Sequence, residues 1–500
     1  MASFGLGLFF FTLANLVVAS NSLEYCDAEK GGGICPSGNT CCRLLSSSSS
    51  SSAAAAGSSS SSGCIAGDMG RFHATCCQDD GFLSGCPVGY DCVPGGGCLE
   101  TNRRKPKDPT VQYLPRYRLC HPEPMETLER VHGFPVDGKD PKATKDNNNN
   151  NNNSTPRLAY YSSHGDITKP WFFNNHNHNQ IDAVLMVVHG SNRNADDYYC
   201  AATAAVSLQT IHQNVLVLAP WFLSVEDGPV HLEGGGQPLR WAIGDGDGPW
   251  RYGDDSVQPI VMSSFTALDH MMRHLLNTLG NGSGKVPPPL VLAGHSSGGQ
   301  LVQRYALLTH VWDNQRMHAV VANPSSYAYL TPLRYDDNQG GWTRPTRKDC
   351  PGYNQWEYGL EIENQKEGDN YVWRHAFPNN TTTTTNALVE RFGHRRVTYL
   401  IGGADVCNMT NPPPSPQQQH GWCDSHGLET TCSDEWQGPN RWERNRRYYE
   451  SLSLLNQTFF SHERVQVDFV GHDHSLMFTQ PAGLRVLFSP FTEAQPWQQE

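Results

Sequence analysis

From residue 183 onward the chain carries six short apolar runs: "AVLMVVHG" (183–190), "NVLVLAP" (214–220), "PLVLAG" (289–294), "HAVVANP" (318–324), "RVTYLIGG" (396–403) and "VQVDFVG" (465–471). They read as continuous rather than alternating, as in strands covered on both faces. Helical patterns lie between several of them. In "SSFTALDHMMRHLLNTLG" (263–280), Leu268, Met271, Met272, Leu275 and Leu279 share one face, serines open the segment and Gly280 closes it. Leu301, Tyr305 and Leu308 repeat that spacing after the third run. Strands alternating with helices require an α/β fold with a mostly parallel sheet and right-handed crossovers.

The 500 residues do not all belong to that pattern. Residues 4–18 are almost wholly apolar and "ASNS" follows, which fits a signal peptide over 1–20 with cleavage near Ser20, although no basic residue precedes it. The alternative is a membrane anchor, for which the run is short. Ten of the sixteen cysteines lie between Cys26 and Cys98, which defines a Cys-rich module at 23–100, interrupted by a Ser/Ala insertion at 46–62. The polar, Pro-containing stretch 101–115 reads as a linker, and 116–495 as the α/β domain. An even cysteine count suits an oxidising compartment, so the chain is expected to be secreted. Sequons at Asn152, Asn153, Asn281, Asn379, Asn380, Asn408 and Asn456 would then be glycosylation sites. The net charge is −12 and the longest basic run is "RRK" at 103–105, which argues against nucleic acid as a partner.

"LVLAGHSSGGQLVQRY" (290–305) places Ser296 between Gly294 and Gly298, after an apolar run and before a helical one. A nucleophile on such a turn holds a strained backbone, and residues two before and two after must be small to clear strand and helix. A serine hydroxyl is a weak nucleophile and needs a histidine base oriented by a carboxylate. Asp405 follows the strand "RVTYLIGG", and His472 follows "VQVDFVG", in the order Ser, Asp, His. His474 competes with His472, Asp473 and Asp424 compete with Asp405, and Asp405 has the plainer alternative of capping a turn. The developing oxyanion needs backbone donors: Ser297 for one, and Ser191 or Asn192 in "VVHGSNRNADDYY" (187–199) for the other, with Gly190 allowing the close turn. His189 reads as a structural hydrogen-bonding residue.

These residues carry a resemblance. In their order, "HGSNRNADDY", "GHSSGG", "IGGAD" and "GHDH" resemble a serine esterase of the α/β-hydrolase superfamily, and less specifically its feruloyl-esterase and polyhydroxyalkanoate-depolymerase branch. The resemblance implies an eight-stranded mostly parallel sheet, a Ser296–Asp405–His472 triad, acyl-enzyme chemistry on ester substrates, polymeric or aromatic ones included, and no metal or organic cofactor. A peptidase with the same triad remains open. So does a binding or signalling protein led by the Cys-rich module, with the hydrolase as a scaffold.

In that module, "CPSGNTCC", "ATCC", "GCPVGYDC" and "GGGC" resemble a granulin repeat. Two of the four cysteine doublets of a granulin are present, Cys41–Cys42 and Cys76–Cys77; Ile65 and Gly85 stand where two further cysteines would pair with each other. The resemblance implies bridges Cys26–Cys41, Cys35–Cys64, Cys42–Cys76, Cys77–Cys92 and Cys86–Cys98. The Ser/Ala insertion departs from the family. Cysteines 120, 200, 350, 407, 423 and 432 allow three further bridges, one of them from Cys407 to Cys423 or Cys432, stiffening the Asp405 loop. The Tyr- and Trp-dense segment 325–361 either packs an irregular subdomain or walls the substrate, and Asp245, Asp247, Asp254 and Asp255 read as a solvated acidic loop rather than a calcium site.

Overall fold

A computed structural model describes most of residues 131–492, apart from 137–155, 170–180, 210–213, 244–248, 260, 282–287, 362–370, 372–383, 407–427, 456–460 and 469. N-terminal to these it describes eight strand backbones, paired antiparallel as Leu23–Tyr25 with Ile34–Pro36, Thr40–Arg43 with Ser62–Ile65, Thr75–Asp79 with Phe82–Cys86, and Tyr90–Val93 with Gly97–Glu100. The apolar leader, residues 46–61 of the Ser/Ala insertion and the linker lie outside the described residues, as do the side chains at every sequon.

The α/β region is built on β1 (His132–Pro135), β2 (Pro156–Ser162), β3 (Ala183–Val188), β4 (Val215–Trp221), β5 (Leu290–His295), β6 (Met317–Ala322), β7 (Arg396–Gly402) and β8 (His462–Val467). With the two-residue strand Gln237–Pro238 they form a nine-stranded sheet, running β2-β4-β3-β5-β6-β7-β8 with β1 on β2. Every pairing from β4 to β8 is parallel, and β2 is antiparallel to β4. The expected mostly parallel sheet is present, with nine strands among the described residues rather than eight.

Strands β3, β5 and β6 are buried at every position, because helices cover both faces. Successive side chains then enter opposite cores. Val184, Met186 and Val188 face a core with α2 (Ser264–Asn281), α3 (Ser297–Leu308), α4 (Thr384–Gly393) and α6 (Arg441–Leu452). Ala183, Leu185 and Val187 face α1 (Ala195–Leu208), α7 (His474–Thr479) and α8 (Pro481–Thr492). The short helix α5 is Cys432–Glu435. Each fully buried Leu, Val or Met stabilises the fold by roughly 1.5–3 kcal/mol. On α2, Leu268, Met271, Met272 and Leu275 are the buried stripe that their spacing predicts.

One strand is displaced from its expected place. "VQVDFVG" predicts a strand over 465–471, but β8 ends at Val467. Asp468 accepts a hydrogen bond from the Gln466 side chain at 2.7 Å, and the carbonyl of Val470 accepts one from the N–H of Ala404 at 2.9 Å. The chain therefore leaves the sheet four residues before Gly471 and crosses toward the end of β7.

Candidate active site

Ser296 stands between β5 and α3 at φ 59° and ψ −124°, in the strained turn that its flanking glycines predict. A Cβ on Gly294 would lie 2.2 Å from the carbonyl oxygen of Gly298, and one on Gly298 would lie 2.3 Å from that of Val188. A third glycine is also required: at Gly299 a Cβ would meet the Ala322 oxygen at 2.6 Å. These neighbours are backbone, so they cannot rotate away. Gly298→Ala is therefore expected to destabilise the fold by about 3 kcal/mol or more. Thermal unfolding of the variant checks this, and an unchanged midpoint would contradict the packing described.

The three side chains expected to meet do so. Nε2 of His472 is 2.9 Å from Oγ of Ser296, and its Nδ1 is 2.8 Å from Oδ2 of Asp405. All three residues are buried. With the proton on Nδ1, the imidazole donates to Asp405 and accepts from the Ser296 hydroxyl. The competing residues have other work. His474 opens α7 and stacks on Tyr198, with ring centroids 4.0 Å apart. Asp473 caps α7, accepting from the N–H groups of Ser475 and Leu476. Asp424 lies outside the described residues.

Opposite the histidine, the end of β3 approaches the serine. A Cβ on Gly190 would lie 3.4 Å from Cβ of Ser296 and 2.8 Å from the Tyr198 hydroxyl. The Gly190–Arg193 turn closes by the N–H of Arg193 donating to the Gly190 carbonyl at 3.1 Å, with Arg193 at φ 53°. The Arg193 guanidinium donates to the Ser191 carbonyl at 3.0 Å and forks onto Asp227 at 2.9–3.1 Å. Ser191 and Asn192 thus sit in a braced turn beside the serine, and Ser297 is the first residue of α3. His189 is structural, as expected: Nε2 accepts from the N–H of Phe222 at 3.0 Å, so Nδ1 carries the proton and donates to the Gly190 carbonyl at 2.8 Å. Burial pushes its pKa down to about 4.

Several residues of the site have no sequence signal. A guanidinium nitrogen of Arg441, buried at the start of α6, stands 3.7 Å from Oδ1 of Asp405, and the next N–H, that of Trp442, donates to the Asp405 carbonyl at 3.0 Å. The Asn440 cap predicts a helix start there, but nothing local predicts that it faces the acid. Tyr198 hydrogen-bonds Nδ1 of His295 at 3.1 Å, and burial, with His472 and His474 next, holds His295 well below the ordinary imidazole range. Its ring centroid lies 4.5 Å from that of His472.

Two expectations are corrected. Cys432 is bridged to Cys350, which removes it as a partner for Cys407; the Thr431–Asp434 capping box sets α5 against the 325–361 segment that carries Cys350. Cys200 is also disulfide-bonded. The acidic loop is not simply solvated: burial, with Asp255 adding repulsion, raises Asp254 to about 6, while Asp245 and Asp247 lie outside the described residues. In the 325–361 segment Tyr327, Tyr329, Tyr353 and Trp356 are buried, and Arg334 lies over the Tyr329 ring, so these rings pack the subdomain.

A mostly parallel sheet with its serine turn after β5, an aspartate after β7 and a histidine after β8 is the α/β-hydrolase architecture. Among solved structures the chain is similar to poly(aspartic acid) hydrolase-1 from Sphingomonas sp. KT-1, at 19% identity over 70% of this chain and 95% of that one, with a TM-score of 0.38. It is also similar to LpqC, a poly(3-hydroxybutyrate) depolymerase from Bordetella parapertussis, at 17% identity over 66% and 89% with a TM-score of 0.37. A third is siderophore hydrolase EstA from Aspergillus nidulans, at 12% identity over 74% and 97% with a TM-score of 0.33. No protein-family model and no curated protein sequence matches the chain.

Proposed function

We propose that the protein is a secreted serine hydrolase that cleaves carboxylic esters through an acyl-enzyme. Nε2 of His472 takes the Ser296 proton as Oγ attacks the ester carbonyl carbon. The imidazolium is held through Nδ1 by the Asp405 carboxylate, and the oxyanion is met by the N–H groups of Ser297 and of Ser191 or Asn192. Collapse of the tetrahedral intermediate expels the alcohol, which receives the proton from His472. Water then attacks the acyl carbon, with His472 again as base, and releases the acid and the free serine. The observation that carries this reading is the unbroken hydrogen-bonded chain Ser296–His472–Asp405 beside a braced backbone turn. Secretion is supported by the apolar leader and the cysteine usage, and a separate granulin-like module by the paired strands between 23 and 100.

A fluorophosphonate probe tests the nucleophile. The mature protein is expected to label and Ser296→Ala is not; equal labelling of the two rejects the assignment, and a scaffold without activity would label in neither. Paired ester and amide chromogenic substrates then separate an esterase from a peptidase with the same triad, the ester being the expected substrate.

A further inference from the structure

Asn323 is the residue immediately after β6, fully buried and at φ 42°, a left-handed conformation that asparagine tolerates better than most residues. Its amide is spent on two backbone groups. Oδ1 accepts from the N–H of Gly402 at 2.8 Å, and Nδ2 donates to the carbonyl of Gly471 at 3.1 Å. Gly402 ends β7, three residues before Asp405; Gly471 is the residue before His472. The backbone of Asn323 is tied in as well, its N–H donating to the Leu400 carbonyl at 3.1 Å. The carbonyl of Ala322, one residue back, accepts the N–H of Ser296 at 2.9 Å. Asn323 therefore joins the segments that carry Asp405 and His472, and the residue before it holds the N–H of Ser296.

We propose that Asn323 is a positioning residue that fixes the histidine loop against the acid loop; the proposal rests on the reading of Ser296, His472 and Asp405 as a catalytic relay. The two loops also bond directly, Gly403 N–H to the Val467 carbonyl at 2.8 Å and Ala404 N–H to the Val470 carbonyl at 2.9 Å. Those bonds reach no nearer His472 than Val470. The Asn323 amide holds the peptide adjoining His472, so its loss turns directly into an error in the imidazole. The loops are close enough that a Cβ on Gly402 would lie 2.7 Å from the Gly471 oxygen, which leaves no side chain of that strand end to do the same work. A misplacement of about 1 Å in a reacting group costs roughly 100-fold in rate.

The test uses the mature chain with Asn323→Gly, which removes both side-chain bonds and keeps the left-handed backbone unstrained. Turnover of 4-nitrophenyl acetate is measured per site titrated with a fluorophosphonate. The expected result is kcat lower by about 100-fold with KM within about twofold. The acid limb of the pH profile moves to lower pH, because an imidazole drawn away from Asp405 loses the anion that stabilises its charge. The other ionisable groups about His472, namely Arg441, His295, Tyr198, Asp473 and His474, stay as they are. Asn323→Asp keeps the acceptor for Gly402 and sets a carboxylate oxygen against the Gly471 carbonyl; its kcat is expected to fall as far, and it carries the test if the glycine variant does not fold. If both variants turn over at the wild-type rate per titrated site with an unmoved acid limb, even at a lower melting temperature, Asn323 is merely structural and the proposal is overturned. Wild-type turnover by Ser296→Ala would instead reject the relay itself, and the proposal with it.

Discussion

His472→Ala is expected to lower kcat on a small ester by roughly 10^6-fold, as large an effect as removing the Ser296 hydroxyl itself. Without an imidazole at 2.9 Å from Oγ, Ser296 keeps its proton near neutral pH and remains a weak nucleophile. No neighbour can take over: His474 is fixed in a stack on Tyr198, and His295 is buried against it with its Nδ1 engaged by the Tyr198 hydroxyl. Asp405→Asn should cost less, roughly 10^4-fold, because the base survives but its favoured tautomer points the proton at the serine. A catalytic relay of the proposed kind acts as a unit, so the double variant Ser296→Ala, His472→Ala should be no slower than either single one. Initial rates on 4-nitrophenyl acetate, with unfolding curves to show intact folds, check all three. A His472→Ala enzyme within tenfold of wild type, or a double variant far below both singles, would show that the ester chemistry runs elsewhere.

What could be read in advance divides along the range of the interactions. The strands were legible because burial on both faces leaves β3 wholly apolar and β5 and β6 with one histidine each, and that pattern survives in a linear sequence. The serine turn was legible because its constraint is local: Gly294, Ser296 and Gly298 sit within five residues, and the missing Cβ at each end is most of the requirement, Gly299 adding the rest. Asp405 and His472 could be ranked because the order of partners in such a sheet is restricted. Arg441, Arg193 and Asn323 carried no signal, since each acts through a contact with a segment remote in sequence or through a turn whose closure only folding reveals. The end of β8 was misplaced for a related reason. "VQVDFVG" is apolar enough to continue as a strand, but the pairing of Val470 with Ala404 in the acid loop competes for the same backbone and prevails. The Cys350–Cys432 bridge shows the same limit, because six cysteines in one domain give no local clue to their partners.

Acidification is expected to strip stability from the α/β domain between pH 6.5 and about 4, mainly because burial keeps several imidazoles neutral. His189 and His462 are held at about 4 and His318 at about 3, each mainly by desolvation, and His295 also lies well below the ordinary value. All four are neutral in the fold and take up protons at about 6.5 once unfolded. The unfolded state therefore binds more protons throughout this window, and stability falls as pH falls. For His189 or His462 the loss is about 3 kcal/mol by pH 4. Two buried acids oppose it. Burial raises Glu357 to about 7 and Asp254 to about 6, so the fold holds their protons more tightly than the unfolded chain and gains about 3 kcal/mol from the first and about 2 kcal/mol from the second over pH 7 to 4. These two acids offset part of what the histidines lose and leave His295 and His318 uncompensated, so the net direction is a loss of stability on acidification. Urea midpoints measured from pH 7.5 down to 4 should fall steadily. His318→Gln, which can keep a hydrogen bond to Thr398 across the 2.8 Å that Nε2 now spans, should flatten the lower part of that slope. A midpoint that holds level or climbs on acidification would mean that these imidazoles take up protons inside the fold, against the burial described for them.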